Sequence, residues 1–344
     1  MSHTEKTQFI NEFFGKYEQK LKYNNFKITQ AEVIYNLLKT GEIIETDDPV
    51  VLNYYGFYFL FKEKNYDEVK RYYLMAIEKG SVYAIYNLGN YYRNIEKNYE
   101  EMKRYYLMAI EKGDSDAMCN LGCYYDNEKN YEEMKLYYLM AIEKGHPTAM
   151  CNLGYYYNKV EKNYEEMKRY YLMAIEKGNV TAMCNLGSYY QVTEINYDKM
   201  KRYYLMAIEK DSVKAMCNLG AYYQVTEINH ERMKHYFLLA LEKGNHTTAH
   251  NLQGYIIQTR DFAFLLDEYK KGNDLSRFIP SFAAVIRKYE LSKKYGITDT
   301  CGICLEENKI CILTGCYHPF CLDCTVDCLA KNYDKCPTCR SALS

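Results

Sequence analysis

The chain has 344 residues, 48% hydrophobic and 26% charged, the proportions of a folded globular protein with room for two or three domains of about 150 residues. Its 44 basic and 45 acidic residues leave a formal net charge of -1, without the basic excess that marks nucleic-acid binders. No apolar run reaches the roughly eighteen residues of a membrane helix, and the opening MSHTEKTQFINEFF lacks the charged-then-apolar order of a secretory signal. The composition therefore predicts a cytoplasmic protein with neither a membrane nor a nucleic-acid partner.

Two features stand out, 41 tyrosines without a tryptophan and 14 cysteines. Five of the cysteines lie between Cys119 and Cys217 and nine between Cys301 and Cys339. A disulfide framework would need a secreted context, so the dense cluster points to metal.

In chain order, residues 1–48 predict two helices, around Phe9 to Leu21 and Ala31 to Leu38, suited to capping one end of a repeat array. The array follows over 49–272. The string YYLMAIEKG starts at Tyr72, Tyr105, Tyr137 and Tyr170 and returns in altered form at Tyr203 and Tyr236. A glycine recurs at Gly56, Gly89, Gly122, Gly154, Gly187, Gly220 and Gly254, at spacings of 33, 33, 32, 33, 33 and 34. That period is one helical hairpin, so the expected fold is all-α, a solenoid of about seven hairpins.

Within a unit, Tyr99, Met102, Tyr106, Ala109 and Ile110 share one face of the second helix. Glu100 and Glu101 precede Lys103 and Arg104 at ion-pair spacing, and Gly113 closes the helix as a left-handed cap. Asp211 takes that cap position once, at some cost in strain. The first helix carries Ala117, Leu121, Gly122 and Tyr125, and its recurrent glycine predicts direct packing of the neighbouring helix on the backbone. Tyrosine is expected with its ring in the core and its hydroxyl near water. A stacking platform for nucleic acid would need basic residues interleaved in a groove, and without that pattern the reading is disfavoured.

Two polar columns are in register. Asn87, Asn120, Asn152, Asn185 and Asn218 recur, with Asn251 displaced by one inserted residue. Such carboxamides either contact an extended peptide or bond the backbone of their own hairpin. Tyr86, Cys119, Cys151, Cys184, Cys217 and His250 form the second column. Helices packed about 8–10 Å apart are too distant for disulfides, so these cysteines read as small apolar filler.

The units resemble the Sel-1-like repeat, a branch of the tetratricopeptide-like hairpins. The match lies in A-x-x-x-L-G-x-x-Y (Ala117, Leu121, Gly122, Tyr125) and Y-x-x-A-x-E-x-G (Tyr138, Ala141, Glu143, Gly145). The glycine-rich interhelix loop of longer members is missing, and Val69, Met102, Met134, Met167 and Met200 replace a small residue. These departures imply a different superhelical pitch on the same architecture. The resemblance implies an adaptor that holds a substrate protein or another adaptor along a concave surface.

After the repeats, 273–296 predicts a linking helix around Ser281 to Lys294. The last segment, 297–344, holds Cys301, Cys304, Cys316, His318, Cys321, Cys324, Cys336 and Cys339 in the order C-x2-C, C-x-H-x2-C-x2-C, C-x2-C. Thiolate pairs two residues apart suit tetrahedral Zn²⁺, and eight ligands fill two sites. Cys311 and Cys328 are left over as small apolar residues, although Cys311 competes with Cys316 as third ligand.

This ligand order resembles the RING finger, whereas a PHD finger would place the histidine fifth. The resemblance implies a cross-brace, with Cys301, Cys304, Cys321 and Cys324 on one zinc and Cys316, His318, Cys336 and Cys339 on the other. Both ions would have four protein ligands and a structural role. So small a segment needs metal to supply much of its folding energy.

The implied activity is that of a RING-type ubiquitin-protein transferase, which positions a ubiquitin-charged conjugating enzyme for attack by a substrate lysine. Ile303 would be the apolar docking residue, Pro337 would shape the second loop, and Arg340 would stand as the linchpin cation bridging both partners. RING dimerisation is a further implied assembly. Cys328 stands where many active members have tryptophan, which reduces the apolar area available for docking. The alternative is a non-catalytic repeat and RING scaffold for protein–protein interaction. The near-identical units rich in Asn, Tyr, Ile and Lys resemble repeat proteins of large DNA viruses, which would place the chain in host cytoplasm.

Overall fold

The computed structural model describes residues 2–15, 27–245, 247–259, 261–272, 285–287, 290, 298–299, 309–313 and 319–330. The expected linking helix lies largely outside these residues. The chain divides into two compact units, Met1–Ala182 and Met183–Ser344.

The first unit opens with α1 (His3–Gly15) and α2 (Ile28–Thr40), packed on each other, and α2 also packs against α3. Four hairpins follow: α3 (Pro49–Tyr58) with α4 (Tyr66–Glu78), α5 (Val82–Tyr91) with α6 (Tyr99–Glu111), α7 (Ser115–Asn127) with α8 (Tyr131–Glu143), and α9 (Pro147–Tyr156) with α10 (Tyr164–Glu176). Helix α11 (Val180–Val192), within which the units divide, pairs in sequence with α12 (Tyr197–Ile208). The second unit continues with α13 (Val213–Val225) and α14 (His230–Glu242), then α15 (Thr247–Thr259) and α16 (Phe262–Lys270). Beyond them lie β1 (Thr298–Asp299), β2 (Lys309–Leu313) and β3 (Pro319–Cys321), an antiparallel sheet in that order, and helix α17 (Leu322–Ala330). The seven hairpins agree with the repeat count.

Each hairpin is delimited by its own polar punctuation. Asn65, Asn98, Asn130, Asn163, Asn196 and Asn229 cap the second helices, each Oδ1 accepting from the backbone N–H three residues on, which satisfies one orphan donor of the first turn. Gly113 ends α6 at φ +81°, and Asp211 occupies the same left-handed region at φ +61° in place of glycine. The expected ion pairs form, Lys103 to Glu100 at 2.8 Å and Arg104 to Glu101 at 2.9 Å. The single spacing of 32 also has a structural reason. Helices α3, α5 and α9 widen into a π turn, at Phe59–Glu63, Tyr92–Glu96 and Tyr157–Glu161, that accommodates one extra residue before the asparagine cap. Helix α7 runs to Asn127 as plain α-helix and does without it.

Six of the seven recurrent glycines accept an aromatic ring from the second helix of their own hairpin. A Cβ at Gly122 would lie 2.6 Å from the Tyr138 ring, and Gly56, Gly89, Gly154, Gly187 and Gly220 meet Tyr73, Tyr106, Tyr171, Tyr204 and Phe237 equally closely. These rings are fully buried. A second contact closes each of six hairpins: Phe59 on Tyr72, Tyr92 on Tyr105, Tyr125 on Tyr137, Tyr157 on Tyr170, Tyr190 on Tyr203 and Tyr223 on Tyr236. Their centroids are 5.4–5.8 Å apart and their planes within 8° of parallel, an offset arrangement favoured by the ring quadrupole. The doubled tyrosines thus have separate duties, one covering glycine and its neighbour stacking. Tyr99 departs from the expected buried face: it is 44% exposed at the start of α6, its ring against Tyr124 of the next hairpin at 5.6 Å.

Candidate functional site

Four members of the asparagine column bond other side chains rather than the backbone of their own hairpin. Asn87 Nδ2 donates to Asn53 Oδ1 at 2.9 Å, one hairpin back. Asn120 Nδ2 reaches Tyr86 Oη, Asn90 Oδ1 and Tyr106 Oη at 3.1, 3.3 and 3.4 Å. Asn152 Nδ2 reaches Tyr138 Oη and Cys123 Sγ, both at 3.4 Å, and Asn218 reaches Tyr204 Oη at 3.2 Å. These amides tie successive hairpins together through half-buried side-chain bonds. Of the hydroxyls they touch, those of Tyr106, Tyr138 and Tyr204 belong to rings that cover the glycines, so these lie in a polar seam between repeats rather than in water.

Cys119, Cys151 and Cys184 are buried and Cys217 half-buried, as filler residues should be. Some also serve as weak hydrogen-bond partners: Cys184 Sγ lies 3.2 Å from Ser212 Oγ, and Asn245 donates to Cys217 Sγ at 3.4 Å. Cys123, outside the column, is a thiol the sequence did not single out. It sits one helical turn from Cys119 and accepts from Tyr138 Oη at 3.3 Å. The hydrogen bond from Cys119, and then that from Tyr138, hold its thiol below the ordinary value.

A recurrent apolar row faces outward. Leu74, Leu107, Leu139 and Leu172 hold the same place in successive second helices and are 41–43% exposed. Ion pairs link successive repeats, from a second helix to the end of the next first helix: Lys70 to Glu96 at 2.9 Å and Lys135 to Glu161 at 2.6 Å. Each pair holds its carboxylate below the usual range, and Lys135 is pushed up to about 12 by its bond to Glu161.

In the C-terminal segment, Cys321 ends β3 and Cys324 lies half-buried in the first turn of α17. The remaining candidate ligands, Cys301, Cys304, Cys316, His318, Cys336 and Cys339, lie outside the described residues, as do Ile303, Pro337 and Arg340. The register of β2 and β3 places Cys311 directly opposite Cys321, a juxtaposition the linear spacing did not reveal. Cys328 lies on α17. Phe320, Leu322 and Val326 are buried, and α17 packs against α16, with Lys270 paired to Asp323. The donor set suits zinc, since thiolates and one imidazole are its preferred ligands. Two of those cysteines, Cys321 and Cys324, stand three residues apart where a strand turns into a helix.

The repeats have the fold of Sel1-like solenoids. The chain is similar to a Sel1 repeat protein from Oxalobacter formigenes, with a TM-score of 0.51 and 21% identity over 69% of this chain and 99% of that one. It is similar also to c5321, a protective antigen of uropathogenic Escherichia coli displaying an SLR fold, with a TM-score of 0.50 and 20% identity over 77% of this chain and 60% of that one. Over 61 residues, 17% of its length, the chain is 34% identical to the helicase-like transcription factor of Oryctolagus cuniculus, and the match spans 6% of that protein. No family profile matches the chain. Among the described residues no helix is long and apolar enough to cross a membrane.

Proposed function

We propose that the chain is a protein–protein interaction scaffold whose helical hairpins hold a partner protein. The supporting observation is the outward row Leu74, Leu107, Leu139 and Leu172, repeated in register on a framework whose inter-repeat polar groups are already paired. Single exposed leucines are ordinary; a row repeated with the period of the hairpins offers an extended apolar contact instead. Peptides selected from a displayed library on the full chain should lose about tenfold in affinity with Leu107→Ser and Leu139→Ser together, at unchanged helical content. A library that yields no binder sensitive to this row would sink the reading.

A second reading, a RING-type ubiquitin ligase built on that scaffold, draws support from the eight-ligand spacing and from Cys321 and Cys324 at the β3–α17 junction. Zinc when bound would act as a structural cross-link with no open coordination position. Cys301, Cys304, Cys321 and Cys324 would hold one ion, and Cys316, His318, Cys336 and Cys339 the other. Ile303 and Pro337 would dock a conjugating enzyme, and Arg340 would bridge it to its ubiquitin. Two zinc ions per chain should be found by elemental analysis. The full chain should then discharge ubiquitin from a panel of charged conjugating enzymes, with activity lost in Arg340→Ala and Ile303→Ala at unchanged zinc content. No discharge from the zinc-loaded chain across the panel leaves the scaffold alone.

A further inference from the structure

The tips of the fifth and sixth hairpins carry the same string, QVTEIN, at 191–196 and 224–229. Val192 and Val225 end α11 and α13, and Ile195 and Ile228 lie in the turns that follow. These four aliphatic side chains are 64–75% exposed, against 41–43% for the leucine row.

The backbone makes two of them exceptional. In six successive hairpins the residue before the asparagine cap of the second helix has a positive φ, between 49° and 57°. That conformation lets the next N–H reach back and close the first helix, as Asn196 does to the Tyr190 carbonyl and Asn229 to the Tyr223 carbonyl, both at 2.8 Å. In the first four hairpins the residue is Lys64, Lys97, Lys129 or Lys162, unbranched at Cβ and charged. In the next two it is isoleucine, whose branched side chain is strained at this φ and, so exposed, gains nothing from burial. Three residues earlier, Asn94, Asp126 and Lys159 of the second to fourth hairpins give way to Val192 and Val225. Two polar positions have thus turned apolar together in two adjacent hairpins, against the local preference of each.

Charge and duplication together define what covers these tips. Glu194 pairs with Lys199, and Glu227 with Lys201 and Arg232, so each tip's carboxylate is balanced within its own copy. A two-fold contact sets like surfaces face to face. Tips bearing lysine, as the first four do, would repel one another there, whereas the fifth and sixth lack that charge. Being identical and one repeat apart, these two tips exchange places under a two-fold axis that passes between them. Val192 and Ile195 of one copy then meet Val225 and Ile228 of the other, the self-complementarity an isologous interface requires. We propose that a second copy of this chain covers the two tips, in a dimer that sets the fifth hairpin of each copy against the sixth of the other. Four aliphatic side chains per copy fall short of the roughly 20–30 residues a side of a stable interface, so the dimer forms reversibly with concentration. It leaves free the leucine row, which lies on the second helices of the first four hairpins.

Sedimentation velocity of the full chain over a concentration series should show a reversible monomer–dimer equilibrium. Ile195→Lys with Ile228→Lys copies the first four hairpins and sets like charges face to face, so it should raise the dimer dissociation constant at least tenfold, roughly, at low salt. Circular dichroism should show unchanged helical content and an equal or higher melting temperature, since lysine relieves the strain of the branched side chain. Ile195→Lys with Ile228→Glu sets opposite charges across the axis instead and should dimerise about tenfold more tightly than the double-lysine variant. A wild type that stays monomeric at millimolar concentration overturns the proposal. So does a dimer that both variants leave unchanged, the result expected of contact through the C-terminal segment. Equal weakening by the two variants rules out the exchanged pairing and overturns the two-fold arrangement. A monomeric wild type whose selected peptides are lost in the double-lysine variant has another protein on its tips, which also overturns the self-contact.

Discussion

The third and seventh hairpins carry the same glycine in the same place and treat it in opposite ways. A Cβ at Gly122 would lie 2.6 Å from the buried ring of Tyr138, whereas none of the described residues approaches within 4 Å of one at Gly254. Helix α8 brings the ring of Tyr138, its eighth residue, across the glycine, whereas α16 carries Tyr269 at the same helix position and brings no ring that close to Gly254. A repeated residue is thus not a repeated interaction. The glycine is required where a ring covers it, and at the array's last hairpin it remains only as a mark of shared sequence.

Alkali should produce the largest effect that separates the two situations. Burial raises the hydroxyl pKa of Tyr73, Tyr138 and Tyr204, and pushes that of Tyr106 up to about 12. Below pH 10 these phenols are neutral in both folded and unfolded chains. Between 10 and the raised folded values only the unfolded chain ionises, so their contribution is complete below 10 and lost as pH rises through that window. Absorbance at 295 nm should show their ionisation delayed and coincident with loss of helix. Ionisation of all tyrosines near pH 10 before unfolding would contradict the burial of these rings.

Next in size, Gly122→Ala should cost about 3 kcal/mol by overpacking the Tyr138 ring. Gly254→Ala should be neutral or stabilise by up to about 1 kcal/mol through helix propensity. Urea unfolding followed by circular dichroism would check both, and equal destabilisation would erase the contrast. A finer comparison sets Tyr106 against Tyr73. Tyr106→Phe removes a donor from Asn90 and should cost about 1 kcal/mol, whereas Tyr73→Phe removes an unpaired hydroxyl and should be neutral or stabilising. The smallest effect belongs to the ion pairs. Glu96→Gln should cost no more than about 0.5 kcal/mol, because the pair with Lys70 is about one-third exposed and screened. Glu96 and Glu161 are held below their ordinary value of 4.5 by Lys70 and Lys135. Their contribution is therefore present above that pH and lost as pH falls through the lowered values. Glu96→Gln should flatten the acid limb of the stability profile slightly, and 0.5 M salt should mimic it.

Much of the repeat architecture could be read directly. The period, the two helices per unit, the left-handed cap at Gly113 and its substitute Asp211, and the close contact at the glycines all follow from local rules of propensity and spacing. The candidate metal site could be read only as an expectation. Seven cysteines and one histidine have a spacing that suits zinc, and the structure adds the placement of Cys321 and Cys324 and the unexpected position of Cys311 opposite Cys321. The polar columns were the least legible. Register alone identified Asn87, Asn120 and Asn152 as recurrent but could not say what they touch, because their partners come from the preceding hairpin.

The division has one physical origin. Interactions within about four residues depend on backbone geometry that residue type largely specifies, so the helices, their asparagine and glycine caps and their ion pairs were determined by the sequence itself. Interactions between residues some 30 positions apart depend on how one hairpin stacks on another. Only the tertiary structure decided that Asn120 would bond Tyr86 and Tyr106, that a π turn would hold the residue missing from the third repeat, and that the Tyr73 hydroxyl would be buried with no partner among the described residues.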